Sequence, residues 1–578
     1  MGGGLKTRLI ASGLPAGSGP LAGSGVRARG RKAAPWFALA SLLIAQLACA
    51  RGFVSPTQLT ATAAGPGGLT ADITQPLSVA TTADPPMTPT SNPPASPRVD
   101  LQPVAPDLQA TPTLAPVVET PTPVATETAT ATIDPAVTSE PPILYYTQAG
   151  DTLQALASRF NVSLSDITSP EPIVTHGLFN PGVLLLIPHR LGETSSSKQL
   201  IPDSEVVYSP SALDFDIDQF VKNGKGYLTT YKEWRSNGWY DGAGVIRRVA
   251  IENSINPRLL LVILERQSHW VYGQPKNLAE TDFPIGWLRL ENDKKGLYYQ
   301  LSWAVSQLNK GYYGWRDGTV TELTFPDGSK LRLAPDLNAG TVGLLYLFSR
   351  LYNQVEWAGI LYGTDGLMAQ YETMVGSPYL RAQSVEPLFP ATLTQPPLSL
   401  PFLPGHTWSF TGGPHWAWGP DGARAALDFA PSATDHGCYQ SDDWVTAMAP
   451  GLVVRSENGV VIVDLDGDGY EQTGWDILYL HIATLDRVPK GTWVNQNDHI
   501  GHPSCEGGNA TGTHTHIARK YNGEWILADG PMPFTMDGWV AHANKDLYQG
   551  YLVNASKVVI ASQVGSFESR ITRPLISP

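Results

Sequence analysis

The sequence predicts a multidomain protein made of a disordered Thr/Pro-rich linker, a small α+β module, a mostly α-helical domain and an all-β antiparallel domain. The chain has 578 residues, several times the roughly 150 residues of one domain. Residues 51–142 contain 18 Pro and 18 Thr, and after them the spacing of apolar residues is first helical and then alternating. The predicted segments are an N-terminal segment (1–50), the disordered linker (51–142), the small module (143–191), the helical domain (204–386), a Pro-rich linker (387–404), the all-β domain (405–556) and a C-terminal tail (557–578).

The charge balance argues against a nucleic-acid partner. The chain has 39 basic and 52 acidic side chains and a formal net charge of −13. Binding to a phosphate backbone requires a basic surface, and this composition does not predict one. The 16 Trp and 22 Tyr residues suit aromatic binding surfaces instead.

Residues 1–50 have the charge and hydropathy order of an export signal. Basic residues from Arg27 to Lys32 precede an apolar run that is too short for a stable membrane span. The run ends in Gln46-Leu47-Ala48-Cys49, which resembles a lipoprotein processing box with Gln46 in place of the usual Leu. Either Cys49 is lipidated or cleavage after Ala50 discards it. Both outcomes predict an extracellular or cell-envelope protein, which is secreted or lipid-anchored at the outer face of the membrane. Segment 51–142 then forms a tether, because it has too little apolar surface to fold.

Segment 143–191 combines a short amphipathic helix with a terminal apolar strand. Leu153, Leu156 and Phe160 repeat at helical spacing after Asp151 and Thr152, either of which can cap the helix. The elements G-D-T-L, R-F-x-V and L-x-I-P occur in an order that resembles the LysM module. This resemblance implies binding to the glycan of peptidoglycan or chitin. A small packing domain without a ligand is the alternative.

Segment 204–386 is predicted to be helical, with Pro257 near the first turn of one helix. The run from Ile255 to Trp270, I-N-P-R-L-L-L-V-I-L-E-R-Q-S-H-W, resembles the catalytic-helix region of lysozyme-like lytic transglycosylases. In that family a Glu protonates the glycosidic oxygen, but Gln267 stands at this position. The nearest carboxylate, Glu265, is a candidate glycosidase acid on another face of the helix. A non-catalytic glycan-binding domain is therefore favoured over a working glycosidase.

The last 174 residues of the chain contain short strand patterns with a cluster of metal-binding residue types. His514 and His516 alternate within one strand pattern and face the same side, about 7 Å apart. His481 lies in another strand pattern, Leu478 to Ile482, and His415 precedes Asp428 upstream. Two His and one carboxylate can hold a hydrolytic Zn²⁺ with a position open for water.

These motifs resemble the lysostaphin and staphylolysin family of zinc endopeptidases, which cut the peptides of peptidoglycan. The resemblance implies that His415, Asp428 and His516 bind zinc and that His481 and His514 act on water and the oxyanion. It predicts peptidoglycan as the partner, with the glycan bound by the LysM module and the peptide by the zinc domain. We expect a monomer that meets a membrane only through a lipid on Cys49. A non-catalytic cell-wall-binding regulator is the alternative from another functional class.

Two further predictions concern the same domain. Asp464, Asp466 and Asp468 begin a calcium-loop pattern that Glu471 could complete, although the twelfth position is Trp475 rather than Glu. An acidic hairpin tip without an ion is the alternative. Because Cys49 belongs to export under either processing route, Cys438 and Cys505 remain as a pair, and an exported protein predicts a disulfide between them.

Overall fold

The computed structural model describes residues 140–288, 294–432, 437–439 and 441–575. All of them lie in one compact unit, Thr128–Pro578. The predictions for the export signal, Cys49 and nearly all of the tether concern residues outside these ranges.

The N-terminal module is a two-stranded antiparallel sheet with a helix packed on it. β1 (Ile143–Tyr146) pairs with β2 (Leu184–Ile187), and α1 (Leu153–Phe160) lies between them in sequence. The Thr152 side chain accepts a hydrogen bond from the backbone N–H of Ala155 and so caps α1. The predicted helix and its cap are therefore confirmed.

The middle region is helical, as predicted, because its apolar residues recur at helical spacing and bury one another in a shared core. Two small hairpins interrupt it: β3 (Lys232–Arg235) with β4 (Gly238–Asp241), and β5 (Glu322–Thr324) with β6 (Lys330–Arg332). Its helices are α2 (Ile217–Gly224), α3 (Gly242–Asn253), α4 (Pro257–Ser268), α5 (Leu278–Asp282), α6 (Leu297–Arg316), α7 (Ala339–Ser349), α8 (Gln354–Tyr362), α9 (Leu367–Val375) and α10 (Pro378–Ala382).

The C-terminal region is antiparallel β throughout its described residues, which confirms the predicted class. Its strands are β7 (Thr407–His415), β8 (Ala426–Pro431), β9 (Val445–Thr446), β10 (Gly451–Glu457), β11 (Val460–Asp464), β12 (Trp475–Leu480), β13 (Trp493–Val494), β14 (His499–Gly501), β15 (Thr515–Tyr521), β16 (Glu524–Trp525), β17 (Thr535–Met536), β18 (Trp539–Ala543), β19 (Gly550–Asn554), β20 (Lys557–Ile560) and β21 (Arg570–Thr572). The main sheet has the order β13-β10-β11-β12-β15-β8-β7-β21, with β16 paired to β15. A second sheet has the order β17-β18-β19-β20, and β9 pairs with β14.

Both faces of the main sheet are covered. Val461 and Val463 of β11 enter the core of the β region, whereas Ile462 joins the apolar cluster of the helical region. This two-sided burial explains why β11 reads as an unbroken apolar run rather than an alternating one. The helical region therefore supports the sheet that carries the candidate site.

Two segments that the sequence predicts to be a linker and a tail are part of the folded β region. The Pro-rich stretch 387–404 is packed, since Leu400 and Phe402 are fully buried in the β-region core. The predicted tail, 557–578, supplies β20 and β21, and β21 extends the main sheet by pairing with β7.

Candidate metal centre

Three side chains that could hold a metal ion, His415, Asp428 and His516, meet where β7, β8 and β15 lie side by side. The register pairs His516 directly with Asp428, and β7 pairs with β8 on its other side. β7 is irregular between Gly412 and His415, and this bulge brings the end of β7 to the same place. All three side chains are buried.

The three ligand atoms converge closely. His415 Nε2 and His516 Nδ1 each lie 3.2 Å from Asp428 Oδ1 and 3.0 Å from each other. The other ring nitrogens are occupied: His415 Nδ1 is 2.8 Å from the carbonyl oxygen of Gly413, and His516 Nε2 is 3.0 Å from that of Ala417. A carbonyl oxygen only accepts, so each ring donates outward and presents a lone pair inward.

This geometry fits a cation. Two imidazole lone pairs and Asp428 Oδ1 face one another, and within the described residues that oxygen is buried without a hydrogen-bond partner. Burial raises the pKa of Asp428, but His415 and His514 lower it by more, so the carboxyl pKa lies well below its usual value. The carboxylate is charged at neutral pH, and a divalent metal bound by two nitrogens and one oxygen would balance it.

Two more histidines stand beside these ligands. The rings of His481 and His514 are 4.5 Å apart, and His514 Nε2 lies 3.7 Å from Asp428 Oδ1. Each ring donates from Nδ1 to a backbone carbonyl at 2.8 Å, that of Glu506 for His481 and that of Gly512 for His514. Burial and the neighbouring His514 and His516 lower the pKa of His481 to about 3. His481 is therefore neutral and has a free lone pair on Nε2.

The strand that leads to His481 ends two residues earlier than the sequence predicts. β12 stops at Leu480, and His481 has a left-handed backbone with φ of 65°. A non-glycine residue in this conformation is uncommon. Here it turns the imidazole out of the strand and towards His514, so the five predicted residues form one group.

The site opens into a cleft of about 2180 Å³. The β region contributes Trp416, Trp418 and Tyr439 to the lining, and the helical region contributes Arg248 and Tyr298. Trp444 is not part of this lining and stacks on His499, with ring centroids 4.0 Å apart. The sequence did not single out Tyr548, whose ring stacks on His415 at 4.2 Å.

A disulfide joins Cys438 and Cys505, as predicted. The carbonyl of the adjacent Gly437 accepts a hydrogen bond from Thr513 N–H at 2.9 Å. The cross-linked loop therefore touches the residue immediately before His514.

The candidate glycosidase acid, Glu265, is not among the residues that line the cleft. Glu265 is buried, and its Oε2 accepts from the backbone N–H groups of Val271 and Tyr272 at 2.8 and 3.0 Å. Gln267 donates to the carbonyl of Ile285 and accepts from the Tyr352 hydroxyl. Glu265 thus closes the turn after α4, which is a structural role.

The candidate calcium residues are only partly brought together. Oxygen atoms of Asp464, Asp466 and Asp468 lie within 4.8 Å of one another. Glu471 points elsewhere, since its Oε2 contacts Arg455 at 3.1 Å and Lys520 at 3.2 Å.

Comparison with known proteins gives consistent results for two parts of the chain. The family model described as the LasA N-terminal domain matches residues 199–387. Protease LasA of Pseudomonas aeruginosa is 23% identical over 390 residues, which is 63% of this chain and 85% of that protein. Beta-lytic metalloendopeptidase of Achromobacter lyticus is 28% identical over 141 residues, or 23% of this chain and 35% of that protein. The chain is a metalloendopeptidase related to protease LasA.

Solved structures similar to this chain include the M23 metalloprotease pseudoalterin and the catalytic domain of lysostaphin from Staphylococcus simulans. Pseudoalterin is 21% identical with a TM-score of 0.24, covering 30% of this chain and 96% of its own. Lysostaphin is 20% identical with a TM-score of 0.16, covering 21% and 89%. The LasA N-terminal match falls on the stretch that resembles lytic transglycosylases, and the lysozyme-like and LysM resemblances stay predictions. None of the helices in the described ranges combines the length and apolarity needed to span a bilayer.

Proposed function

We propose that this chain is a zinc endopeptidase that hydrolyses peptide bonds of bacterial peptidoglycan and is brought to the wall by segment 143–191. The observation that carries the proposal is the convergence of His415, Asp428 and His516 with their lone pairs facing inward. Its similarity to protease LasA and to a beta-lytic metalloendopeptidase supports the same reaction class.

His415 Nε2, Asp428 Oδ1 and His516 Nδ1 would hold the zinc. Two nitrogens and one carboxylate are the ligand set of a hydrolytic site with one open position. When bound there, zinc lowers the pKa of a coordinated water towards about 7 and polarises the scissile carbonyl. The carbonyls of Gly413 and Ala417 fix both rings in the tautomer that this requires.

His481 and His514 would move the proton. Both rings donate through Nδ1, so Nε2 is the atom that can accept a proton from the attacking water. The resulting imidazolium can hydrogen-bond the oxyanion and then return the proton to the leaving amine nitrogen. Burial lowers the pKa of His481, so the ring stays neutral and keeps its Nε2 lone pair at neutral pH.

The cleft suits a branched polymer better than a small molecule. It is open and exceeds the roughly 300–1,000 Å³ of a small-molecule pocket. Its aromatic and arginine side chains, among them Trp416 and Arg248, can contact the sugars and carboxylates of a peptide-linked glycan.

Segment 143–191 is held firmly beside the helical region. Arg159 donates to the carbonyl of Trp315 through Nε at 3.2 Å and through a terminal nitrogen at 2.8 Å, and it pairs with Asp151 at 2.7 Å. A shallow polar groove of about 490 Å³, lined by Ser158, Asn161 and Asp166 among others, is open on this module. We propose that this groove binds a glycan strand of peptidoglycan. The bound glycan would then lie at a fixed distance from the cleft.

We further propose that the protein works outside the cytoplasm as a monomer, either secreted or anchored through Cys49. The disulfide between Cys438 and Cys505 supports an oxidising compartment. Radiolabelled fatty-acid incorporation in the host, compared between wild type and Cys49→Ala, separates the anchored form from the secreted one.

Digestion of purified peptidoglycan tests the enzymatic proposal. The wild type should release new amino termini, and His516→Ala should release none. Glu265→Gln should behave as wild type and produce no change in reducing or anhydro-sugar ends. Amino termini that persist in His516→Ala would refute the zinc peptidase, and sugar ends lost in Glu265→Gln would favour a glycosidase.

A further inference from the structure

The turn between β11 and β12 contains acidic side chains that the proposed hydrolysis does not use. Oxygen atoms of Asp464, Asp466 and Asp468 lie within 4.8 Å of one another at this turn. Asp466 and Asp468 are exposed, and exposed acidic clusters commonly exist without an ion. This cluster differs from an ordinary exposed one because a buried carboxylate, that of Asp476, lies behind the turn.

Asp476 lies on β12 directly opposite Asp464 on β11, so the two side chains leave the same face of the sheet. Asp476 has no exposed surface, and among the described residues neither of its carboxylate oxygens has a hydrogen-bond partner. Burying a carboxylate without partners is costly. A group in this state requires either a proton or a cation.

The turn folds back towards Asp476. Gly474 has a φ of 57°, and a Cβ atom there would overlap Asp466 Oδ2. Glycine suits this left-handed position, because the Asp466 carboxylate crosses directly over the backbone. Asp466 therefore lies over the chain two residues before the buried Asp476.

The charges around Asp476 do not balance. Asp464, Asp476 and Glu471 are buried, and the cations that reach them are Arg455 and Lys520. Both of these contact Glu471 Oε2, whereas Glu471 Oε1 has no partner among the described residues. Adding Asp466 and Asp468 of the turn gives five carboxylates against two cations, an excess of negative charge that a bound divalent ion would reduce.

The electrostatic environment agrees with this count. Burial, and after it the neighbouring Glu471 and Asp464, raise the pKa of Asp476 well above its usual value despite Lys520. Burial and Asp464 raise the pKa of Asp466 to about 6.

We propose that Asp464, Asp466 and Asp468, with Asp476 as the fourth carboxylate, form a binding site for a divalent cation of the Ca²⁺ class. All the candidate ligands are oxygens, which hard cations prefer and which do not favour zinc. Asp476 takes the place that the sequence pattern assigned to Glu471. Because His481 directly follows β12 and the partner strand β15 contains His516, the site would stabilise the strands that form the hydrolytic centre.

The test uses the full chain, freed of Ca²⁺ and reloaded with zinc. Saturating Ca²⁺ should raise the Tm of wild type by roughly 5–10 °C, and Tb³⁺ should luminesce when Trp493, whose ring borders Gly467, is excited. Asp476→Asn should weaken Ca²⁺ binding by about tenfold or more and, without Ca²⁺, should be as stable as wild type. Exposed Asp466→Asn should weaken binding too, and the exposed control Asp442→Asn should respond like wild type.

Two results would overturn the proposal. The first is a wild type whose Tm is unchanged by Ca²⁺ and which gives no Tb³⁺ luminescence, since Asp476 would then carry a proton. The second is a Ca²⁺ response of the same size in wild type, Asp476→Asn and Asp466→Asn.

Discussion

Asp428 is the residue on which the proposed zinc site most depends, because its oxygen touches both histidine ligands and also approaches His514. Asp428→Asn keeps the size of the side chain but removes the charge. We expect zinc affinity to fall by more than the roughly 10- to 100-fold that follows loss of a supporting residue outside the coordination sphere. Metal content after dialysis, measured by mass spectrometry, checks this. Asp442→Asn is the matched control, and a variant that retains full zinc would contradict the assignment.

His481 and His514 should separate binding from catalysis. Neither is among the three converging ligands, so His481→Ala and His514→Ala should keep their zinc. Each should lose about 100-fold to 10,000-fold in kcat, because a positioned proton carrier is gone. Zinc content and kcat are measured on the same preparation. Loss of zinc together with activity would instead make the altered histidine a ligand.

Glu265→Gln should affect stability without affecting hydrolysis. The carboxylate accepts from two backbone N–H groups and is not part of the cleft lining. Weakening these bonds should lower the free energy of unfolding by about 1–3 kcal/mol. Urea denaturation measures the change, and peptidoglycan digestion serves as the control. A lower kcat with unchanged stability would contradict a purely structural role.

His481, His514 and His516 stand in local strand patterns, whereas the roles of all five residues of the centre were expected from the resemblance to the lysostaphin and staphylolysin family. Tyr548 could not be predicted, because it meets His415 through contact between residues far apart in the chain. Asp476 was missed for another reason: the calcium-loop pattern ends at its twelfth position, and Asp476 is the thirteenth. Its register against Asp464 exists only in the folded sheet.

At the scale of elements, the disulfide is joined to the strand that contains the centre. Cys438 and Cys505 close a loop of 67 residues in sequence, and Gly437 holds Thr513 beside His514. Replacing both cysteines with serine should destabilise the protein by about 2–4 kcal/mol. The position of His514 should also loosen, so kcat should fall while zinc stays bound. Urea denaturation and zinc content are measured, and a double variant as stable as wild type would contradict the expectation.

The helical and β classes of the elements could be predicted from periodicity, but the packing of one predicted linker and the last strand could not. Leu398, Leu400 and Phe402 alternate in a stretch that prolines mark as a linker, and the structure buries all three. The alternation was a usable signal of extended, half-buried chain. The last strand, β21, is only three residues long and forms because β7 offers it an edge, which no local pattern reveals.

At the scale of the whole molecule, one buried side chain contacts three regions. Arg316 at the end of α6 donates to the carbonyl of Ala149 in the N-terminal module, to Asp203 at 2.9 Å and to Glu524 of β16 at 2.9 Å. Tyr312 also donates to Glu524 at 2.7 Å. Such contacts make the helical region a fixed wall of the cleft.

This arrangement predicts strong coupling between Arg316 and Glu524. Arg316→Met leaves the buried Glu524 and the partly buried Asp203 without their cation, which should cost about 3–5 kcal/mol. Glu524→Leu leaves the guanidinium short of a partner and should also destabilise the protein. The double variant removes both members of the ion pair. Its loss in free energy of unfolding should therefore be smaller than the sum of the two single losses. Urea denaturation of the four proteins gives the coupling energy. Strictly additive losses would mean that the regions are held together by apolar packing alone, and the cleft wall could then move independently of the metal centre.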